Sequence, residues 1–134
     1  RFGPLQMQPA PSKPVPIWIG GQNRAALERA GRLADGWSGS GQRYSDAKQI
    51  LETLARLRRE AGRGERPFDA IVPFLEAPTE AERDRLIELG MTGTVSYPFP
   101  YSIGPDRPLA EKLDYLRRYG DRVIAKGAVP KGHA

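Results

Sequence analysis

The residues of this chain best suited to chemistry are Gly20, Gly21, Gln22 and Asn23. Two consecutive glycines let the backbone turn sharply and keep side chains out of the way, so that main-chain N–H groups can approach an anion closely. Asn23 is suited to cap a helix starting just after it, and the start of that helix adds the positive end of its dipole. Gln22, Asn23 and Arg24 add side-chain donors. The chemistry this favours is the holding of a phosphate. A glycine pair is also what any tight turn needs, so the residues alone leave a purely structural reading open. Other reactive groups are few. The sequence has no Cys, which excludes disulfides, thiolate nucleophiles and thiolate metal sites. Its single His, His133, lies in a C-terminal segment expected to fray. Asp35 sits in an Asp-Gly-Trp turn, where a carboxylate serves capping or turn formation more readily than catalysis. No metal site is predicted, and no catalytic residue is assigned.

The elements that must position these residues follow from periodicity and punctuation. Val15, Ile17, Trp18 and Ile19 form an apolar run between prolines and the glycine pair, the pattern of a strand buried on both faces of a parallel sheet. Ala26, Leu27, Ala30, Leu33 and Ala34 then recur at helical spacing. Asp35 to Gly39 reads as a second short strand. Ser45 is the expected cap of a helix carrying Ala47, Ile50, Leu51, Leu54, Leu57 and Ala61 on one face and ending at Gly62. Arg56, Arg58 and Arg59 are expected on its solvent face. Phe68 to Leu75 is the third strand, with Pro73 weakening its far end. Thr79 to Glu82 matches a capping box opening a third helix that Gly90 ends, and Met91 to Tyr97 is the fourth strand. After an aromatic, proline-rich loop, Pro108 suits the first turn of a last helix with Leu109, Leu113, Leu116, Val123 and Ile124 on its apolar face and Gly127 at its end. Residues 1–13 are an extended lead-in and 127–134 a disordered tail. Four strand–helix units without a hairpin signal predict an α/β fold with parallel strands and right-handed crossovers. An open doubly wound sheet and part of a (βα) barrel both satisfy that order.

The run from Pro14 to Trp37, with its Pro16 to Gly21 strand and Ala26 to Trp37 helix and turn, resembles the C-terminal half of the luciferase-like monooxygenase family, and is most similar to its branch that uses the deazaflavin coenzyme F420. Leu86 to Thr92 is similar to a second family segment, and the likeness extends from about Gly3 to Lys126. The resemblance implies the C-terminal half, four (βα) units, of a TIM (βα)8 barrel, a fold that runs to about 250 residues when complete. It implies a flavin- or F420-dependent oxidoreductase transferring hydride to or from an organic substrate, with an FMN-dependent monooxygenase as the alternative and a non-catalytic half-barrel binding a phosphorylated ligand or partner as the reading from another class. Gly20, Gly21, Gln22 and Asn23 would face the phosphate-bearing tail of F420 or FMN. Ser40 and Gly41 would add hydroxyl and backbone donors to the same tail, and Arg43 would meet an acidic group of the substrate or cofactor. The ring-binding loops and most proton donors of this family belong to the N-terminal half, which these 134 residues do not contain.

Composition narrows the partners. Hydrophobic residues at 39% and charged residues at 28% suit a globular domain, not a disordered tail. No apolar run is long enough to span a bilayer and no leader pattern is seen, so a cytoplasmic location and no membrane partner are expected. The net charge of +5 is spread along helical segments mixed with Glu and Asp, which argues against a nucleic-acid surface. A half barrel leaves sheet edges and an apolar face uncovered, so either a missing N-terminal half or self-association as a homo-oligomer is expected.

Overall fold

The computed structural model describes residue 3, residues 8–95 and residues 99–121. The chain divides into two compact units, Arg1–Thr94 and Val95–Ala134. In the first unit, strand β1 (Trp18–Gly20), helix α1 (Arg24–Leu33), strand β2 (Gly36–Ser38), helix α2 (Tyr44–Glu60), strand β3 (Asp69–Ile71) and helix α3 (Glu80–Glu88) alternate as expected. The three strands are parallel and lie in the order β1-β2-β3, with Ile19 beside Trp37 and Trp37 beside Ala70. Past β3, Ile71 bridges Gly93 in parallel, and the Val72 N–H donates to the Gly93 carbonyl at 2.9 Å. The fourth strand is therefore present as a single bridge, and Ser96 and Tyr97 of the predicted segment lie outside the described residues.

The core fills the space between one face of the sheet and the helices. Leu27 and Ala30 of α1, Ala47, Ile50, Leu51, Leu54 and Leu57 of α2, Trp37, Ala70, Val72, Leu86 and Met91 form one buried cluster. This is the helical spacing seen in the sequence, put to use: each apolar stripe covers the sheet, and each fully buried aliphatic side chain contributes roughly 1.5–3 kcal/mol relative to exposure. Gly31 marks the closest approach of α1 and α2, since a Cβ there would lie 2.6 Å from that of Leu57. Asn23 caps α1 through its Oδ1, which accepts from the Ala26 N–H at 2.8 Å. Thr79 and Glu82 form the predicted reciprocal box at the start of α3, and Gly62 and Gly90 adopt the left-handed backbone that ends α2 and α3.

Three expectations are corrected. The first strand is not buried on both faces: Val15 and Ile17 are more than half exposed and Trp18 nearly so, because β1 is the edge of the sheet and nothing among the described residues covers its far face. Ser45 does not cap α2. The Arg43 carbonyl already accepts from the Ala47 N–H at 3.0 Å, so the helix begins at Tyr44 and Ser45 falls in its first turn. Arg58 is not on the solvent face. Only 6% exposed, its guanidinium lies 4.2 Å over the Phe68 ring and donates to the carbonyls of Arg63 and Arg66. Burial, with the Arg63 charge nearby, lowers its pKa. Pro73 does shorten β3: beyond it the backbone pairs with the loop before α2, through Gln42 N–H to the Pro73 carbonyl and Leu75 N–H to the Gln42 carbonyl.

In the second unit a five-residue π-helical turn, Phe99–Ile103, precedes helix α4 (Leu109–Tyr119), with Pro108 at its N-cap position. The Tyr115 hydroxyl lies 3.0 Å from Ser102 Oγ, and Lys112 lies over the Phe99 ring. Leu109, Leu113 and Leu116 are exposed. Val123, Ile124, Gly127 and the predicted tail lie outside the described residues, as does most of the lead-in up to Met7. Among the described residues no helix is long and apolar enough to cross a membrane, and no cluster of three His, Asp or Glu side chains could hold a metal ion.

Candidate functional site

The C-terminal ends of β1 and β2 bring the two predicted loops side by side. β1 ends at Gly20, and Gly21 follows with φ +104°, the left-handed conformation the turn requires. A Cβ on Gly21 would also lie 3.1 Å from that of Ala26, whereas one on Gly20 would meet only the Ser38 carbonyl at 3.7 Å. Of the two glycines, Gly21 is the one the geometry requires. The Leu27 N–H takes the Asn23 carbonyl and the Ala26 N–H takes its side chain, leaving the first-turn amides of Arg24 and Ala25 without an acceptor among the described residues.

The second loop is tied to the first by side chains. Gln22 Nε2 donates to the Ser40 carbonyl at 3.1 Å and to Ser40 Oγ. The same carbonyl accepts from Gln42 Nε2. Gln42 is 2% exposed, and its backbone is paired on both sides with the segment after β3, so it anchors Ser40 to the body of the domain. Beneath both loops lies Trp37, with no exposed surface, whose indole Nε1 donates to the Gly21 carbonyl at 2.7 Å. The far edge of the same ring lies where a Cβ on Gly39 would come within 2.6 Å of it. Gly41 packs under Leu75, whose Cδ2 would lie 2.5 Å from a Cβ there, so its lack of a side chain serves packing.

The helix starts at this end carry carboxylates, Asp46 in α2 and Glu80 and Glu82 in α3, but the two loops do not. No Asp or Glu occurs from Gly20 to Asn23 or from Ser38 to Arg43. Arg43 is exposed at the start of α2, with no ion-pair partner among the described residues. Arg24 is turned along its helix to Glu28, at 2.8 Å; this pair raises the arginine pKa and lowers that of the glutamate. The structure thus unites Gly20, Gly21, Gln22, Asn23 and Ser40 at one end of the sheet, with Arg43 at the edge of the second loop.

Asp35 lies at the opposite end. Its Oδ2 accepts from the Ile17 N–H at 3.0 Å, its backbone pairs with Ile17 and Asp69, and Arg63 lies 3.4 Å from Oδ1, so it closes the turn into β2. A hollow of about 410 Å3 lined by Leu51, Arg58, Arg59, Phe68 and Leu89 is also at that end, away from the glycine turn. Sequence reasoning missed Gln42, because an amide in a polar loop carries no sign of burial. It read Trp37 as part of the turn and the second short strand. The signal for Trp37 was its place in the middle of a strand whose neighbours are small, which leaves room for a large ring.

The family model described as luciferase-like monooxygenase matches residues 2–122. Uncharacterized proteins of Mycobacterium bovis and of two strains of Mycobacterium tuberculosis are each 40% identical over 123 residues, covering 90% of this chain and 42% of theirs. The chain therefore spans about two fifths of the length of the curated relatives it matches. No solved structure matches it significantly.

Proposed function

The chain belongs to the luciferase-like monooxygenase family, and we propose that it forms the C-terminal, tail-binding half of a (βα)8-barrel oxidoreductase that uses coenzyme F420. The observation that carries this reading is the union of two βα loops, joined by Gln22 and Ser40, at the start of an Asn23-capped helix. Consecutive parallel strands with their helices packed on one face suit a barrel wall better than a doubly wound sheet, whose strand order reverses. The open far face and the edge strand are where an N-terminal half, or a second copy, would complete it.

The residues fit a phosphate-bearing tail. The Gly21 turn keeps side chains away, the amides of Arg24 and Ala25 are free to donate, and no carboxylate of either loop opposes an anion. Ser40 retains its hydroxyl proton for a ligand while its oxygen accepts from Gln22. Arg43 is placed to meet an acidic group of substrate or cofactor. When bound, the cofactor supplies the hydride chemistry; these residues bind and orient its tail. An FMN-dependent monooxygenase fits the same donor set, since both tails carry phosphate.

The test is titration of the full-length protein with F420 and with FMN. Saturable F420 binding with reduction or oxidation of the deazaflavin supports the proposal. FMN binding alone moves it to the monooxygenase branch, and binding of neither removes it in favour of a non-catalytic half-barrel. Residues 1–134 alone are expected to self-associate and to show negligible hydride transfer, because tail contacts do not place a ring against substrate. A monodisperse monomer of this length that turns over substrate would refute that expectation.

A further inference from the structure

We propose that Trp37 is the positioning residue of the phosphate-binding turn: its indole N–H, by holding the Gly21 carbonyl inward, aims the Gln22 amide outward at the ligand. This inference rests on the tail-binding reading of the glycine turn. The hydrogen bond from Trp37 Nε1 to the Gly21 carbonyl is 2.7 Å long and joins residues sixteen apart, from the centre of β2 to the exit of β1. In a trans peptide the carbonyl and the following N–H point in opposite directions. A carbonyl directed into the domain toward the indole therefore sends the Gln22 N–H away from it, and that N–H has no acceptor among the described residues.

The indole is itself fixed. Trp37 has no exposed surface and packs in the core with Leu27 and Ala30 of α1, and the distal edge of its ring fills the space left by Gly39. The left-handed backbone of Gly21 lets the peptide take this orientation, but glycine also permits others, since its φ is the least restricted of any residue. Something must select one orientation, and the indole donor is the buried group that touches the turn. Gln22 has a second restraint, because its side chain is held by Ser40. Its amide is thus presented with both flanks fixed, which lowers the ordering cost of binding.

The test compares phosphorylated and phosphate-free forms of the same ring system on the full-length protein: FMN against riboflavin, and F420 against its tail-less deazariboflavin core. Trp37→Phe keeps an aromatic ring and removes the N–H. It is expected to lower affinity for the phosphorylated form about three- to tenfold, the worth of one hydrogen bond, with no change for the phosphate-free form. A purely structural role for Trp37 would weaken both forms alike. If the wild type favours the phosphorylated form and Trp37→Phe keeps the full preference, the inference is overturned while the proposed function stands. If the wild type shows no preference for phosphate, the tail-binding reading fails, and the inference with it. Should Trp37→Phe not fold, the indole N–H resonance decides, assigned with Trp18→Phe. A shift on adding FMN and none with riboflavin supports the inference, and a resonance indifferent to both overturns it.

Discussion

The two ends of the parallel sheet are both fastened by side chains that donate to backbone carbonyls, yet they are fastened by different chemistry. At the end where the strands begin, charged donors do the fastening: Arg58 holds the carbonyls of Arg63 and Arg66, and Arg63 holds that of Ala34 while facing Asp35. At the end where the strands finish, neutral donors do it: Trp37 holds Gly21, and Gln22 and Gln42 hold Ser40. The Arg58 guanidinium stacks on Phe68 and gives both carbonyl bonds through Nη2, while its buried Nη1 has no partner among the described residues. Neutral donors fix the loops without a charge of their own, and Arg43 is the one charged residue from Gly20 to Asn23 and from Ser38 to Arg43. Under the proposed function, the end fastened by neutral donors is the one that receives the cofactor tail.

Breaking the first end should cost the most. Arg58→Ala removes the bonds to two carbonyls and the contact with Phe68, and should destabilise the domain by about 3 kcal/mol; Arg58→Met should recover part of this through the buried stem. Urea unfolding measures both, and an Ala variant as stable as the wild type would show the two ends to be alike. Arg43→Ala should weaken binding of a phosphorylated or acidic ligand by about 1.5–3 kcal/mol with stability unchanged, the loss shrinking as salt is raised. Equal affinities at low and high salt would make Arg43 an ordinary surface side chain. Gly21→Val should abolish phosphate-dependent binding and lower stability by about 1–2 kcal/mol, from the left-handed backbone. Retained binding in a folded variant would remove the turn from the site. The smallest effect lies outside the fastenings at either end. At the start of α3, hydrogen bonds from the Thr79 amide and hydroxyl hold the Glu82 carboxyl below its ordinary range. A lowered folded-state pKa means a contribution present above the ordinary glutamate pKa and lost as the pH falls through the depressed value. Acid titration of stability should show that loss in the wild type and not in Glu82→Gln.

Much of the layout was legible because local rules and tertiary packing agree. The proline-fenced run before Gly20, the Asn23 cap, the Thr79 box and the glycines at 62 and 90 each marked a boundary the structure keeps. The burial of Arg58 was readable in principle: position 58 follows Leu51 and Leu54 at helical spacing, so it lies on the apolar stripe, but its neighbours Arg56 and Arg59 make a charged face the simpler reading. The exposure of Ile17 and Trp18 was not readable, since an apolar run reports that a strand wants cover and not whether these residues supply it. The bonds that define the site, Trp37 to Gly21 and Gln22 to Ser40, join residues sixteen and eighteen apart, and periodicity carries no information about such pairs.

The order of the strands has a consequence for how the protein is made. Each strand pairs with the next one along the chain, so each new strand–helix unit can dock on the edge left by the one before it. Such short-range pairing demands little loop-closure entropy and suits folding as the polypeptide emerges from the ribosome. Ribosome-bound chains halted soon after α2 should therefore already hold β1 against β2.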